Sequence, residues 1–562
     1  MLFQSNLKRH LLLNKFISRI YLIILCCSVS LTIQAKDIYP KNFDIDIQHY
    51  KFELLLSGQS NLIVGKATVN VLFKKSGITE FRLDLSSLID TGKSKGKGMK
   101  IDSIIANNKK LDHQHIKDVI LIRCDPSKAD RQNSFIIFYR GVPATGLHIK
   151  PNKYGDTTFF SDNWPDLTRN WLPVIDHPYD KATCEFIVTA PERFSVVSNG
   201  IKLEESSVGK GFKKTHWKQS VPISSWLYVL GVAEFAVQYV DQFEGKSIET
   251  WVIRQARDSG FKVFAEPSKE VLAFYSDYVG PFAYEKLANI QSNSVSGGME
   301  AASAILYAEN SVSLENIKRW RDVIIHEIAH QWFGNAVTES DWDDVWLSEG
   351  FATYFTDLFI EHAYGHDVFS ERMQQERKRV YMHHKELPEH SVIHNNLDDM
   401  SKVTSAQTYY KGAWILHMLR NDIGEPAFKQ GIRNYYKKYF NSNSTTADFQ
   451  LEMEQVSGKD LSGFFRQWLV QKGNLFLKGS WIYSKNTEQV TVTLQQTQSS
   501  GSYNVPVEIG LFYNGKLLPE IHKVILSDKS VNIFSFKVAE EPKIVDIDPR
   551  VVLLCNSEFS KK

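Results

Sequence analysis

The 562-residue chain is 43% hydrophobic and 12% aromatic, and its 66 Lys and Arg against 64 Asp and Glu leave a net charge of +2. That balance excludes a general binder of nucleic acid or anionic membrane held by its overall field, so any partner must be chosen by a local site. The length suits about three domains, and the apolar content suits large cores.

The first 35 residues differ from the rest. Lys8, Arg9, Lys15 and Arg19 precede an uncharged apolar run from Ile20 to Ile33 that ends at Gln34-Ala35, and no acidic residue occurs before Asp37. Basic, apolar and small residues in that order predict a secretory signal peptide over 1–35. The run is short for a membrane-spanning helix, which needs about 20 residues. No stable membrane insertion is therefore expected after signal removal, and the mature chain is expected in the periplasm or outside the cell. Cys26 and Cys27 lie in this segment. The remaining Cys124, Cys184 and Cys555 are too few for a disulfide framework and lack metal-site spacing, so at most one disulfide is expected.

Between 36 and 240 the pattern is strand-like. Phe43, Ile45 and Ile47 alternate with polar residues, as do Ala67, Val69, Val71 and Phe73, which is the period of a half-buried sheet. Shorter strands are predicted from Phe135 to Tyr139, Thr183 to Val188 and Phe194 to Val197, the last closed by the turn pair Asn199-Gly200. An all-β domain over 36–240 follows. From about 260 to 470 apolar residues recur at three- and four-residue spacing, as in Val323, Ile324, Ile328 and Ala329, which predicts a helical domain, bounded at 241–476. Alternation returns in Val490, Val492 and Leu494 and in Val505, Val507, Ile509 and Leu511, with Asn514-Gly515 as a hairpin turn. Residues 477–562 are read as a small β-sandwich, which makes the whole a multidomain α+β chain.

The chemistry concentrates in residues 323–355, VIIHEIAHQWFGNAVTESDWDDVWLSEGFATYF. His326 and His330 are four residues apart, one helical turn, so their imidazoles can grip one ion. Glu327 follows the first histidine and points to the side where a reacting water would stand, as a base and not a ligand. A catalytic zinc takes three protein ligands and keeps one position open. After 18 intervening residues Glu349 opens a second predicted helix and is the natural third ligand. Two imidazoles and a carboxylate suit zinc, one ion per chain, although manganese or cobalt could occupy them in vitro. With 17 histidines in the chain, a chance HExxH has a probability of roughly 3%, and a correctly spaced glutamate lowers it to about a few parts in a thousand.

The HExxH-18-Glu spacing, the run WDDVWLSEGFA from Trp342 to Ala352 and the upstream Gly297-Gly298-Met299-Glu300 resemble the aminopeptidase N and leukotriene hydrolase family of gluzincin metallopeptidases. The likeness is closest in the catalytic block and extends more loosely over residues 40–555. It implies an N-terminal β-saddle domain, a thermolysin-like, mostly α catalytic domain and a C-terminal β-sandwich. The implied activity is a zinc aminopeptidase working on the free amino termini of peptides; separately, the chain is expected to be a monomer with no nucleic-acid partner. Glu327 becomes the general base, and Tyr409 of Tyr409-Tyr410-Lys411-Gly412 the oxyanion stabiliser. Glu300 becomes the binder of the substrate α-ammonium, Gly297 and Gly298 an edge that pairs with substrate backbone, and Met299 a wall of the first side-chain pocket.

Two positions depart from the family pattern. Ala301 stands where asparagine is common, which removes a polar contact near the substrate backbone. Counting nine residues back from Pro173, where the family places a second amine-binding Gln or Glu, lands on Trp164, with Asp162 and Asn163 just before it; Asp162 is the remaining candidate. Trp164 and Met299 would favour apolar or aromatic first residues. The rival readings are a non-catalytic peptide-binding module on the same fold and a secreted endopeptidase. The complete set of ligands, base and tyrosine argues against the former, and Glu300 against the latter.

Overall fold

The structure, a computed structural model, describes residues 37–562 apart from Glu266, residues 394–396, Asp398 and Ser530. The predicted signal segment lies outside the described residues. Strands Ile45–Leu56 and Ile63–Phe73 bury alternate residues, so one face of each lies on the core. They pair antiparallel in the middle of an eight-stranded sheet, with Tyr50 opposite Val69 and Phe52 opposite Ala67. Strand Lys181–Pro191 lies parallel to Ile45–Leu56 and brings Phe186 beside Phe52, their ring centroids 5.2 Å apart. Sheets of four and three strands complete this β region.

Next in the chain comes a five-stranded sheet of Phe235–Phe243, Lys246–Ile253, Lys286–Gln291, Ala304–Tyr307 and, at its edge, Gly298–Met299. The three strands after residue 280 fall where the apolar spacing predicts only helix. Lys286–Gln291 is buried at every residue, so it carries no alternation that would mark it as a strand. The helices are α1 (Arg257–Ala265), α2 (Ser268–Tyr278), α3 (Ile317–His330), α4 (Trp346–Tyr364), α5 (His366–Glu386), α6 (Gly412–Ile423), α7 (Glu425–Lys438) and α8 (Thr446–Ser457), followed by a short turn at Ser462–Phe465. Helix α4 is buried on all sides from Trp346 to Ile360, as a helix at the centre of a core must be.

The last region holds a four-stranded and a three-stranded sheet. Val490, Val492 and Leu494 and, from the other sheet, Val505, Val507, Ile509 and Leu511 are all buried. The succession of β, helical and β regions is the multidomain α+β organisation that the sequence predicts. The expected junctions at 240/241 and 476/477 fall inside strands Phe235–Phe243 and Leu475–Ser484. Cys124, Cys184 and Cys555 are free thiols. Among the described residues no helix is long and apolar enough to cross a membrane.

Candidate active site

Helix α3 buries Trp320, Ile324 and Ile328 along one row and Ile325 and Ala329 along the next, which fixes its rotation and sends His326 and His330 out on one side. Helix α4 starts after the tight turn Trp342–Asp344, where Asp344 accepts hydrogen bonds from the Thr446 N–H at 3.2 Å and its hydroxyl at 2.5 Å. That anchor sets the first turn of α4, which carries Glu349. The three side chains meet: His326 Nε2 lies 3.1 Å from His330 Nε2 and 3.4 Å from Glu349 Oε2, and His330 Nε2 lies 3.3 Å from the same oxygen.

This nearly equilateral triangle fits one zinc ion. Ligands about 2.0–2.1 Å from a tetrahedral zinc stand roughly 3.3 Å from one another. Glu349 Oε2 is buried and has no hydrogen-bond partner among the described residues, a costly state for a carboxylate unless a cation meets it. The imidazole of His330 is oriented for the purpose. Its Nδ1–H donates to the Phe333 carbonyl at 3.1 Å, with the Ser348 hydroxyl at 3.2 Å, which leaves the Nε2 lone pair facing the triangle.

Tyr409 comes from a π-helical turn, Gln407–Lys411, that leads into α6. Its hydroxyl donates to Glu349 Oε1 at 2.6 Å and its ring stacks beside His326, centroids 6.1 Å apart. The close approach depends on two glycines. A Cβ on Gly350 would come within 2.9 Å of the Gly412 Cα, and one on Gly412 would do the same to Gly350, so α4 and the Tyr409 turn meet backbone to backbone. Lys411, buried, ties the other side of the turn to the Gly473 carbonyl at 2.9 Å.

Glu327 and Glu300 gather around the second histidine. Glu300, Glu327 and His330 bring one ligand atom each within 4.8 Å of one another. Glu300 Oε1 is buried without a hydrogen-bond partner among the described residues, while its backbone carbonyl is gripped by Asn335 Nδ2 at 2.6 Å and Gln331 Nε2 at 3.1 Å. Gln331 directly follows the second histidine and Asn335 lies five residues after it; their only signal in the sequence is polarity inside an otherwise apolar stretch. Gly298 is glycine for a reason the sequence does not reveal. A Cβ there would sit 2.1 Å from Glu327 Oε1, so that carboxylate lies against bare backbone.

The electrostatics favour a bound cation. Burial pulls the His330 imidazole down, but Glu300 and Glu349 outweigh it and raise it to about 10. Burial also pushes Glu349 up, yet the His326 and His330 imidazoles beside it hold it well below the usual carboxylate range. Burial, Glu300 and Glu349 drive Glu327 upward, and burial with Glu349 lifts Glu300 to about 7. Burial and Glu349 keep the Tyr409 phenol protonated, hence a donor.

A cleft of about 860 Å³ is lined by Gly297, Gly298, Glu300, His326, Glu327, His330, Glu349 and Tyr409 among others. Met299, expected to wall a side-chain pocket, is 5% exposed and pairs with Leu306 in the edge strand. Burial raises the Asp162 carboxyl to about 6, and Asp162 in turn acts weakly on Glu300. Trp164 is instead packed edge-on against Trp226 and Trp342.

Comparison with known proteins places this geometry. The Peptidase M1 N-terminal domain matches residues 46–227, and the Peptidase family M1 domain matches residues 264–468. Glutamyl aminopeptidase of Bitis rhinoceros is 28% identical over 403 residues, which cover 66% of this chain and 42% of that protein. A probable aminopeptidase 2 of Sulfurisphaera tokodaii is 30% identical over 358 residues, covering 61% and 45%. The chain thus spans less than half the length of these curated relatives. In fold, it superposes on aminopeptidase A of Legionella pneumophila, solved with aspartic acid, with a TM-score of 0.77 at 20% identity over 93% of this chain and 60% of that one. The M1 zinc metallopeptidase of Deinococcus radiodurans gives 0.64 at 24% identity over 76% and 93%.

Proposed function

Because the chain belongs to peptidase family M1, we propose that it is a zinc aminopeptidase that releases the first residue of peptides. The observation that carries the exopeptidase reading is Glu300, a buried carboxylate with a free oxygen a few ångströms from the base and the second histidine. A substrate ammonium would satisfy that oxygen through a charge-assisted hydrogen bond and so fix which peptide bond reaches the reacting groups.

His326, His330 and Glu349 would hold the ion. When bound, zinc supplies Lewis acidity toward water and the scissile carbonyl. Glu327, held against Gly298, accepts a proton from the attacking water and passes it to the departing amine; burial and two neighbouring acids raise its basicity for that task. The Tyr409 hydroxyl, within 2.6 Å of Glu349, stands beside the ligand set and donates to the oxygen on which negative charge develops. The edge strand Gly298–Met299 leaves one side of its backbone for an extended substrate. The basic, apolar and small residues before Asp37 support a periplasmic or secreted enzyme.

The test is hydrolysis of one peptide in free and N-acetylated forms, with and without a chelator. Chelator-sensitive release of the first residue from the free form alone is expected. Equal cleavage of the acetylated form would make the protein an endopeptidase.

A further inference from the structure

The same cleft has a wall with no part in that chemistry. Beyond the metal ligands it is lined by Lys318 and Arg319 at the start of α3 and by Arg372 and Arg379 on α5. Arg372 is fully matched: it donates to Asp357 Oδ1 at 2.8 Å and Asp322 Oδ2 at 2.7 Å. Asp322 also takes Arg321 at 2.8 Å. Asp357 and Glu376 are buried neighbours whose outer oxygens meet no other donor among the described residues, and burial raises both. Asp322 and that pair together offset Arg372 and Arg321. Lys318, Arg319 and Arg379 make no salt bridge to any described residue, although Arg379 acts on Glu376 electrostatically. Arg379 is fixed in place over the Tyr410 ring, 4.8 Å from its centroid, and donates to the Tyr410 hydroxyl.

The position of these cations follows from the helix. The Glu300 carboxylate clusters with Glu327 and His330 near the C-terminal end of α3, so a substrate amine enters there. Lys318 and Arg319 lie eight and seven residues before His326, roughly 10–12 Å up the same helix at about 1.5 Å per residue. A peptide with its amine at Glu300 and its first carbonyl at the ligand triangle runs along α3 toward them. At about 3.3 Å per extended residue, three residues past the scissile bond cover roughly 10 Å. A tetrapeptide therefore ends among these cations.

We propose that Lys318, Arg319 and Arg379 form a carboxylate subsite on the leaving-group side of the cleft, which selects short peptides of about four residues. The ligand is a carboxylate, supplied by the chain terminus or by an acidic fourth side chain. The inference rests on the aminopeptidase reading and specifies its substrate class.

Three substrates at low ionic strength test it: a tetra-alanine free acid, its C-terminal amide, and the amide with Glu in the fourth position. The free acid should be cleaved with a KM about tenfold below that of the neutral amide, as a charge-assisted contact allows. The Glu amide reports the source: recovery of the low KM means that any carboxylate at that distance serves, and no recovery means that the terminus itself is read. In the Lys318→Gln/Arg319→Gln double variant and in Arg379→Gln, the ratio of acid to amide should fall toward one. Equal KM values for acid and amide in the unmodified protein, or a preference that survives both variants, would overturn the subsite while leaving the aminopeptidase reading intact. Cleavage of none of the three peptides would remove that reading instead, and the subsite with it.

Discussion

Asp37, His177 and Asp341 come as close together as His326, His330 and Glu349, each set offering three ligand atoms within 4.8 Å of one another. Their bonding differs in every respect that matters. His177 Nδ1 accepts from the Tyr179 N–H at 3.2 Å and its Nε2–H donates to Asp37 at 2.5 Å, so both ring nitrogens are occupied. Asp37 also accepts from the Tyr39 N–H at 2.8 Å, and Asp341 is paired with Lys41. That cluster is a closed clamp between the N-terminal segment and the turn leading into α4. The cluster of His326, His330 and Glu349 has the opposite tautomer logic: Nδ1 of His330 is spent on a carbonyl, Nε2 faces inward, and a carboxylate oxygen is left over. Residue type does not separate a binding site from a clamp; leftover hydrogen-bonding capacity inside the protein does.

The largest expected effect breaks the catalytic side alone. His330→Ala should abolish zinc binding and lower turnover by more than about a thousandfold, whereas His177→Ala should retain one zinc per chain by atomic absorption. Loss of metal from both would erase the distinction. Next in size, Glu327→Gln should lower kcat by about 10²–10⁴-fold, and Tyr409→Phe by about 10²–10³-fold, each with zinc content unchanged. The smallest effect lies in the clamp. Asp37→Asn should cost about 1–3 kcal/mol of unfolding free energy in denaturant titration without changing kcat. Its sign with pH is fixed. Burial pushes Asp37 up, but His177 outweighs this and lowers it to about 2. The clamp's contribution is therefore present above the ordinary carboxyl value of about 3.9 and is lost as the pH falls toward 2. The stability gap between the unmodified protein and the Asp37→Asn variant should close over that interval.

What could be read in the sequence tracks how local the cause is. His326 and His330 declare themselves because a helical turn is a sequence interval, and Glu349 because α4 follows soon after. The outer strands are legible from their alternation. Lys286–Gln291 is not, because burial on both faces removes the pattern. The spare oxygen of Glu300, the reason for Gly298 and the Asp37 clamp arise from groups many residues apart, and no spacing rule announces them. The same holds for the cationic wall, which joins residues 318–319 to residue 379 across two helices.

The seam between Gly350 and Gly412 has a bearing on how such an enzyme can change. With no side chains between them, the helix bearing Glu349 and the turn bearing Tyr409 cannot slide or be shimmed apart without separating the two groups. New preferences must then arise on the rim, at positions such as 318, 319 and 379, where a substitution alters what is welcomed and leaves the engine untouched.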